Sequence, residues 1–365
     1  MLLSCKKQPI KDAFMSVNVP IAVAIDDGND QYKVSCGTQM FKFHSHIERG
    51  KANIGNASGS ETSGITTFSY TSASNIVYSI GDVDNPMERN DEFPFSEASN
   101  MLLNHALSIL DFDDDREVIL CTSLPLRLFF KSDGSLNKEN ITRKTSNVAR
   151  CIEHKDFSHH LKIAANIVQP EAVVAASTLY YTESDDGTIC VNEQYRNKTI
   201  AVVDPGGKTT DIAVLKNQKV IMDRSSTKKL GMNDLYFKAR RYLEDLGYSF
   251  ITEAQVRTLV AEGHISVRGE LEDHKGYCEQ IKKELALNIV DEIVSRLGYA
   301  NDIDVIYLVG GTVNALEKYL IPLLKERYDD SHFKLADQPD FANVLGMELF
   351  TKMWIQRRLA TATAS

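Results

Sequence analysis

Two short apolar segments, far apart in the chain, each end at an aspartate followed by a glycine-containing turn. Residues 21–25 precede Asp-Asp-Gly at 26–28, and residues 200–203 precede Asp-Pro-Gly-Gly-Lys-Thr-Thr at 204–210. Beyond each turn apolar and polar residues alternate, which is typical of a strand that returns beside the first. The pattern therefore predicts two similar β-hairpins with an acid near each tip, and hence two similar domains.

The rest of the chain shows strand and helix patterns that fit around these hairpins. Further strands are predicted at 117–122, 161–168 and 305–309, and helices at 95–110, 138–152, 229–246, 252–262, 276–298, 313–326 and 341–356. Because proline suits the first turn of a helix, Pro170 and Glu171 predict a helix directly after the strand 161–168. The polar segment 44–66 predicts an exposed loop, and the polar segment 183–198 predicts a domain boundary.

The amino-acid composition limits the number of domains, the cellular compartment and the binding partners that this protein can have. The 365 residues, 43% hydrophobic and 25% charged, suffice for two soluble domains with separate cores. The net charge of −9 argues against a general nucleic-acid binder with a basic face, but not against contact with DNA through another protein. No apolar run is long enough to cross a membrane. The six cysteines include no CxxC pair, which indicates free thiols in the cytoplasm.

The second turn contains Gly-Lys-Thr but does not fit a P-loop. A P-loop requires glycine five positions before Gly207, where this chain has Val202, and it opens a helix, whereas residues 211–215 alternate like a strand. At a hairpin tip, consecutive glycines can turn several amides toward a phosphate, and the two threonines that follow can add hydroxyl donors. Asp204 would then hold Mg²⁺ or its waters, with Asp26 opposite. The alternative is two ordinary tight turns capped by aspartate.

Three further candidates carry weaker signals. The Gly-Gly-Thr at 310–312 joins a strand to a helix, which suits either close approach by a nucleotide or tight strand–helix packing. Glu171 either orients and deprotonates a water or complements a helix dipole as a first-turn acid. Metal binding by His44 and His46, or by the pair 159–160, needs further ligands, so solvated loop histidines are the favoured interpretation.

In this order the motifs resemble the actin, heat-shock chaperone and sugar-kinase superfamily of ATPases, and in detail the plasmid-segregation actins of the ParM/StbA type. The resemblance spans most of residues 21–356. The residues that carry it are Ile25-Asp-Asp-Gly28 with Lys33 downstream, Cys121-Thr-Ser-Leu-Pro-Leu126, Pro170-Glu171, Asp204-Pro-Gly-Gly-Lys-Thr-Thr-Asp-Ile212, Leu230-Gly231, Val309-Gly-Gly311 and Asn343-Val-Leu-Gly346. Pro205 and Lys208 depart from many relatives, and Lys208 either contacts phosphate or faces solvent.

The resemblance implies an α/β fold of two actin-like domains, each ribonuclease H-like, with ATP or GTP and Mg²⁺ in the cleft between them. With residues 1–20 as a flexible leader, it divides the chain into a first domain at 21–182 plus 336–365 and a second at 183–335. It implies Glu171 and Asp204 as catalytic residues, and Asp26 and Asp204 as Mg²⁺ ligands through water. The nucleotide-binding residues that it implies are Asp26, Gly28, Asn29, Gly206, Gly207, Lys208, Thr209, Gly231, Gly310, Gly311 and Thr312.

The same resemblance implies an ATPase that polymerises into dynamic filaments for plasmid DNA segregation. ATP closes the cleft, subunits add head to tail, and hydrolysis destabilises the filament. A DNA-binding adaptor of the ParR type at a centromere-like site captures the filament end, so neither direct DNA binding nor membrane contact is expected. A small-molecule kinase of the same superfamily is the alternative function. A chaperone is disfavoured, because no substrate-binding β-domain follows the ATPase unit.

Overall fold

Two mixed β-sheets form the framework of the protein. The computed structural model describes residues 19–51, 67–81, 83, 85–111, 117–150 and 162–363. Residues 1–18 of the predicted leader, 52–66 of the predicted loop and the histidine pair 159–160 lie outside these ranges. Within them the strands are β1 (Ile21–Asp27), β2 (Gln31–Cys36), β3 (Gln39–His44), β4 (Ile47–Arg49), β5 (Phe68–Thr71), β6 (Val77–Ile80), β7 (Glu117–Leu124), β8 (Lys162–Pro170), β9 (Tyr181–Glu183), β10 (Ile189–Val191), β11 (Thr199–Pro205), β12 (Thr210–Lys216), β13 (Lys219–Val220), β14 (Ser226–Lys228), β15 (His264–Val267), β16 (Glu270–Asp273), β17 (Val305–Leu308) and β18 (Phe333–Leu335).

The two sheets have the same topology. The strand order is β3-β2-β1-β7-β8 in the first and β13-β12-β11-β17-β18 in the second, where β14 also pairs with β12. In each sheet the first three strands form antiparallel pairs, and the last two run parallel to the first. The duplication predicted from the two hairpins is therefore present in the structure. The division of the chain at residues 183 and 335 stays a prediction.

The two hairpins place their acids at the same point of each sheet. Strands β1 and β11 occupy the middle of their sheets, where both faces are covered, and this explains their unbroken apolar segments. Asp26 is the sixth of seven residues in β1, and Asp204 is the sixth of seven in β11. Both therefore lie at the carboxyl ends of parallel strands, the edge at which α/β sheets bind ligands.

Helices cover the sheets and fill the space between them. In the described part of the chain they are α1 (Glu97–Ile109), α2 (Leu126–Phe129), α3 (Lys138–Ala149), α4 (Ser177–Tyr180), α5 (Met232–Asp245), α6 (Glu253–Glu262), α7 (Lys275–Leu297), α8 (Gly311–Lys325) and α9 (Ala342–Thr363). The seven helices predicted from periodicity all have a counterpart among them. The last helix, α9, packs along β1, where Val344 and Met347 join Ala24 and Cys121 in one buried cluster.

The helix predicted at Pro170 and Glu171 is wrong. Pro170 instead ends β8, which is an edge strand of the first sheet, and edge strands tolerate proline because one side of their backbone has no strand partner. Glu171 follows in a turn, with its N–H bonded to the Leu124 carbonyl at 2.9 Å. Helical structure begins only with a short 3-10 turn at Val174–Ala176 and continues in α4.

The predicted loop and the predicted domain boundary both contain short strands. The segment 44–66 includes β4, which pairs with β6 in a three-stranded sheet, and the segment 183–198 includes β10, which pairs with β9. None of the helices in the described ranges combines the length and apolar character needed to cross a membrane. Cys5 and Cys151 lie outside the described residues. The prediction of free thiols is confirmed for Cys36, Cys121, Cys190 and Cys278.

Candidate functional site

One open cleft between the two hairpins brings the predicted site residues together. Its cavity volume is about 200 Å³, and Met232 and Tyr236 of α5 form part of its wall. The predicted residues that line it are Asp26, Gly28, Asn29, Glu171, Asp204, Gly206, Gly207, Lys208, Thr209, Gly310, Gly311 and Thr312. Gly231 instead lies behind the second turn, where an added Cβ would come within 2.6 Å of the Gly206 carbonyl oxygen. The role of each residue stays a prediction.

Asp26 and Asp204 form a buried pair of acids on the two sides of the cleft. Burial raises the pKa of Asp26 to about 6; the Asp204 carboxylate adds to the rise and Lys33 opposes it. Burial likewise raises the pKa of Asp204 to about 6, although a hydrogen bond from Asn343 lowers it. Because the two carboxylates repel each other and are shielded from water, the cleft carries unbalanced negative charge that a cation would relieve.

Lys33 supplies part of the balancing positive charge. It lies on β2 directly opposite Asp26 in the hairpin register, and its Nζ is 2.9 Å from Oδ1 of Asp340. Burial alone would raise the pKa of Asp340, but Lys33 and Lys42 hold it below its ordinary value. The oxygen donors that remain, the carboxylates of Asp26 and Asp204, are of the hard type that Mg²⁺ prefers. The residues present therefore fit a magnesium ion.

Ser123, at the end of β7, joins Glu171 to the acids of the first turn. Its Oγ is 3.2 Å from Oε1 of Glu171 and 3.3 Å from Oδ1 of Asp26. Asp27 Oδ1 is also within reach, at 3.1 Å. The Ser123 hydroxyl has one proton and can donate it to only one of these three carboxyl groups. The arrangement therefore favours protonation of one carboxyl, which then donates to the Ser123 oxygen. Burial and the charge of Asp26 accordingly raise the pKa of Glu171 well above its ordinary value.

Hydrogen bonds within the protein fix the tip of the second turn. The N–H of Gly206 donates to the Thr209 carbonyl at 2.7 Å. Thr209 Oγ1 donates to Oδ2 of Asp211 at 3.1 Å, and Thr210 Oγ1 donates to the Leu230 carbonyl at 2.8 Å. Both hydroxyls donate within the protein in this structure, and their donation to a phosphate stays a prediction.

Two basic side chains tie opposite walls of the cleft together. Lys208 Nζ donates to the Arg89 carbonyl, so the lysine does not point to solvent. Arg257 of α6 pairs with Asp30 at 2.7 Å, and the same guanidinium nitrogen lies 3.3 Å from Nε2 of His46. These contacts connect the second turn and α6 to the segment that follows the first turn.

The prediction of solvated histidines holds for the exposed His44 but is wrong for His46, which is half-buried. Their rings stack with centroids 5.4 Å apart, and ligand atoms of Asp30, His44 and His46 all lie within 4.8 Å of one another. Burial and the neighbouring Arg257 charge lower the pKa of His46. Since the guanidinium of Arg257 already bonds two of the three groups, it takes the place that a cation would need.

The glycines at 310–311 pack tightly against acids of the cleft, Gly310 against Asp204 and Gly311 against Asp340. Gly310 has φ +91°, and an added Cβ would lie 2.3 Å from Oδ1 of Asp204, so the close approach admits only glycine. Thr312 Oγ1 donates to the Gly206 carbonyl at 2.8 Å, which fixes the start of α8 against the second turn. Tight packing, one of the two interpretations of Gly-Gly-Thr, is thus confirmed, while contact with a nucleotide stays a prediction.

Several site residues had no role assigned from the sequence. Lys33 was visible only as part of a family pattern, although the hairpin register would have paired it with Asp26. Ser123 follows an apolar strand, like many serines that only end strands. Asp340 and Asn343 lie about 140 residues beyond Asp204 in the chain, and no local pattern links residues at that separation.

Two family models match the chain. The N-terminal model of the plasmid segregation protein ParM matches residues 21–181, and the C-terminal model of the MreB-like archaeal actin homologue matches residues 202–321. The two matches correspond to the two halves that repeat one sheet topology. No curated protein sequence matches the chain at a significant level.

Solved structures of actin-like proteins match nearly the whole chain. A 15-stranded ParM filament from Clostridium botulinum is 23% identical with a TM-score of 0.69, over 91% of this chain and 99% of that one. The actin-like protein Alp7A is 16% identical with a TM-score of 0.69, over 94% and 99%. An archaeal actin homologue, Ta0583 in complex with ADP, is 16% identical with a TM-score of 0.65, over 91% and 99%. The predicted α/β fold of actin-like ATPases is confirmed, and the N-terminal part of the chain matches the ParM model.

Proposed function

We propose that this protein is a nucleotide-dependent polymerising ATPase whose filaments segregate plasmid DNA. One observation carries the proposal: two hairpins of the same topology bring Asp26 and Asp204 to one cleft, with Glu171 beside them, in a chain that matches the ParM N-terminal model. The proposed substrate is ATP, or GTP, with Mg²⁺. Its phosphates would lie against the turns at 28–29 and 206–209, and its adenosine against residues 310–312.

The side chains around the cleft support a hydrolytic mechanism. Asp26 and Asp204 would hold Mg²⁺ through its waters, and the metal supplies positive charge to the phosphate oxygens when it is bound. Glu171, when ionised, would accept the proton of the attacking water, and its raised pKa makes the carboxylate a stronger base. Ser123, whose Oγ is 3.2 Å from Glu171, would hold that carboxyl in place.

The proposed product of nucleotide binding is a polar filament. Head-to-tail contacts between identical subunits do not close on themselves and so build a filament rather than a dimer. The similar fold of a solved ParM filament supports this step. We also propose that a ParR-like DNA-binding adaptor at a centromere-like site captures the filament end in the cytoplasm. A chain with a net charge of −9 is poorly suited to bind DNA directly.

Replacement of the proposed base tests the function. Glu171→Gln keeps the shape of the side chain but cannot accept a proton, so phosphate release should fall about 10²- to 10⁴-fold. Polymer should still form with ATP, and it should persist instead of disassembling. Glu193→Gln changes an exposed glutamate that pairs with Arg196 at the surface, and it should behave like the wild type. Pelleting and phosphate release, measured on the same samples with ATP and with ADP, give both readouts.

The same samples separate the competing functions. Absence of any nucleotide-dependent polymer at concentrations of tens of micromolar would count against a filament protein. Transfer of phosphate to a small molecule without polymer would favour the kinase alternative. Unchanged phosphate release in Glu171→Gln would remove Glu171 from the mechanism while leaving polymerisation to be judged by the pelleting result.

A further inference from the structure

Asn343, the second residue of α9, bonds to the side chain of Asp204 and to the backbone of Ala172, the residue next to Glu171. Its side chain is buried, and it lines the same cleft. Its Nδ2 donates to Oδ2 of Asp204 at 2.6 Å, and its Oδ1 accepts the N–H of Ala172 at 3.1 Å. Ala172 directly follows Glu171. One amide therefore connects the acid of the second turn to the backbone that carries the other acid.

The backbone at Ala172 has an unfavourable conformation that needs outside support. Its φ is +60°, in the left-handed region that residues other than glycine rarely adopt. The Val173 N–H donates back to the Glu171 carbonyl at 2.6 Å, which closes a tight three-residue turn around Ala172. Strained backbone of this kind persists only where neighbouring groups hold it, and the bond to Asn343 is such a contact.

The helix that carries Asn343 is itself fixed against the same segment. Gly346 lies one turn further along α9, on the same face as Asn343. A Cβ on Gly346 would lie 2.1 Å from the Val174 carbonyl oxygen, so the helix backbone rests directly on the backbone that follows Glu171. This contact leaves α9 no room to move toward that segment, and it places the amide of Asn343 at a set distance from Asp204 and Ala172.

We propose that Asn343 is a positioning residue that fixes the separation of Glu171 and Asp204, and so aligns the water-activating acid with the metal-side acid. The inference rests on the proposed ATP hydrolysis. An uncharged amide suits this place because it donates to a carboxylate and accepts from a backbone N–H at the same time. When the amide is lost, Glu171 is free to move, and a shift of about 1 Å can lower the rate about 10²-fold.

The test compares two amides on the same helix. Asn343→Leu removes both bonds with little change in volume, and kcat for ATP should fall about 10²-fold with KM within about threefold of the wild-type value. Gln356 is the matched control, because its amide also bonds two backbone groups, the Ile189 N–H at 3.1 Å and the Gly187 carbonyl at 2.9 Å, but does so outside the cleft. Gln356→Leu should lower thermal stability without lowering kcat per folded molecule.

A second variant keeps the test decisive if Asn343→Leu does not fold. Asn343→Asp retains the acceptor for Ala172 but loses the donor to Asp204 and adds a like charge beside it, so it should also lower kcat more than KM changes. If both Asn343 variants keep wild-type kcat, or if Gln356→Leu loses as much kcat as they do, the positioning role is refuted while the ATPase proposal stands. A wild-type protein without ATP hydrolysis refutes the proposed function, and the inference with it.

Discussion

Asp26→Asn should stabilise the nucleotide-free protein at neutral pH, even though it removes a residue of the proposed site. Asp26 is buried, and burial together with the nearby carboxylate of Asp204 raises its pKa to about 6. A carboxylate that resists ionisation in the folded state costs stability whenever the pH forces it to ionise. Asparagine has the same shape and can still accept the Ser123 hydroxyl, which lies 3.3 Å from Asp26 Oδ1, but it carries no charge.

The pKa sets the size of the expected effect. A rise from 3.8 to about 6 corresponds to about 3 kcal/mol of destabilisation at pH 7.5, since each pKa unit is worth about 1.4 kcal/mol. Because Lys33 would lose one of its acidic neighbours in the variant, the net gain should be smaller, about 1–3 kcal/mol in the free energy of unfolding. Urea denaturation in EDTA, without nucleotide, measures this difference.

The size of the effect depends on pH in a defined window. The pKa of Asp26 is higher in the folded protein than in the unfolded chain, so the folded state binds the proton more tightly. Below about pH 4 Asp26 is protonated in both states, so it does not lower the free energy of unfolding. As the pH rises through about 6, the unfolded chain loses this proton before the folded protein does, and the free energy of unfolding falls. The advantage of Asp26→Asn should therefore be largest at pH 7.5 and about half as large at pH 5.

The adjacent Asp27 provides a control of opposite sign. Asp27 pairs with Lys144, and their side chains are 3% and 2% exposed, so Asp27→Asn would leave a buried ammonium without its partner. This change should destabilise the protein by about 3–5 kcal/mol. If Asp26→Asn destabilises at pH 7.5, or if its effect does not change between pH 5 and pH 7.5, the electrostatic account of the cleft is wrong.

Two further changes test the connections around the cleft. Arg257→Met should remove the ion pair with Asp30 and raise the radius of gyration, measured by small-angle scattering without nucleotide. Asp30→Asn should raise it by a similar amount, and the double variant should raise it little further. If the increases in radius of gyration of the two single variants add up in the double variant, Arg257 and Asp30 do not act as a pair. Gly346→Ala should cost about 2–3 kcal/mol or more in urea denaturation, because its Cβ would meet the Val174 carbonyl oxygen at 2.1 Å. Gly276→Ala, a helical position with nothing within 4 Å, should instead be neutral or slightly stabilising; equal losses would refute the steric argument.

The fold was largely predictable because its strongest signals are local. The apolar segments of β1 and β11 are central strands covered on both faces, and such strands stand out in any sequence. The helices of the second half are long and periodic, and they were found to within a few residues. The failure at Pro170 arose because proline is compatible both with a helix start and with an edge strand, and only the strand order decides between them.

The candidate site was predictable only in its turns. Acid and glycine residues at strand ends can be recognised one turn at a time, and both turns line one cleft. Most of the groups that balance the charge of the acids or orient them could not be recognised in this way, because they come from distant parts of the chain. Asp340 and Asn343 reach the cleft only through the packing of α9 along β1. Likewise the hydroxyls of Thr209 and Thr210 looked available until the fold supplied their acceptors.

The charges of the cleft give a physical reason for a link between nucleotide and domain closure. Asp26 and Asp204 repel each other across the cleft, which favours separation of its walls. The pair Arg257–Asp30 opposes that separation. In the proposed function, Mg²⁺ and the nucleotide phosphates would bind between the walls, and both walls would then be attracted to them instead of repelling each other. The repulsion between the two acids and the attraction within the Arg257–Asp30 pair are each worth about a few kcal/mol. Loss of the terminal phosphate would therefore shift the equilibrium between the open and the closed cleft appreciably. A filament contact that requires the closed form would then weaken after hydrolysis, without any change in the contact residues themselves.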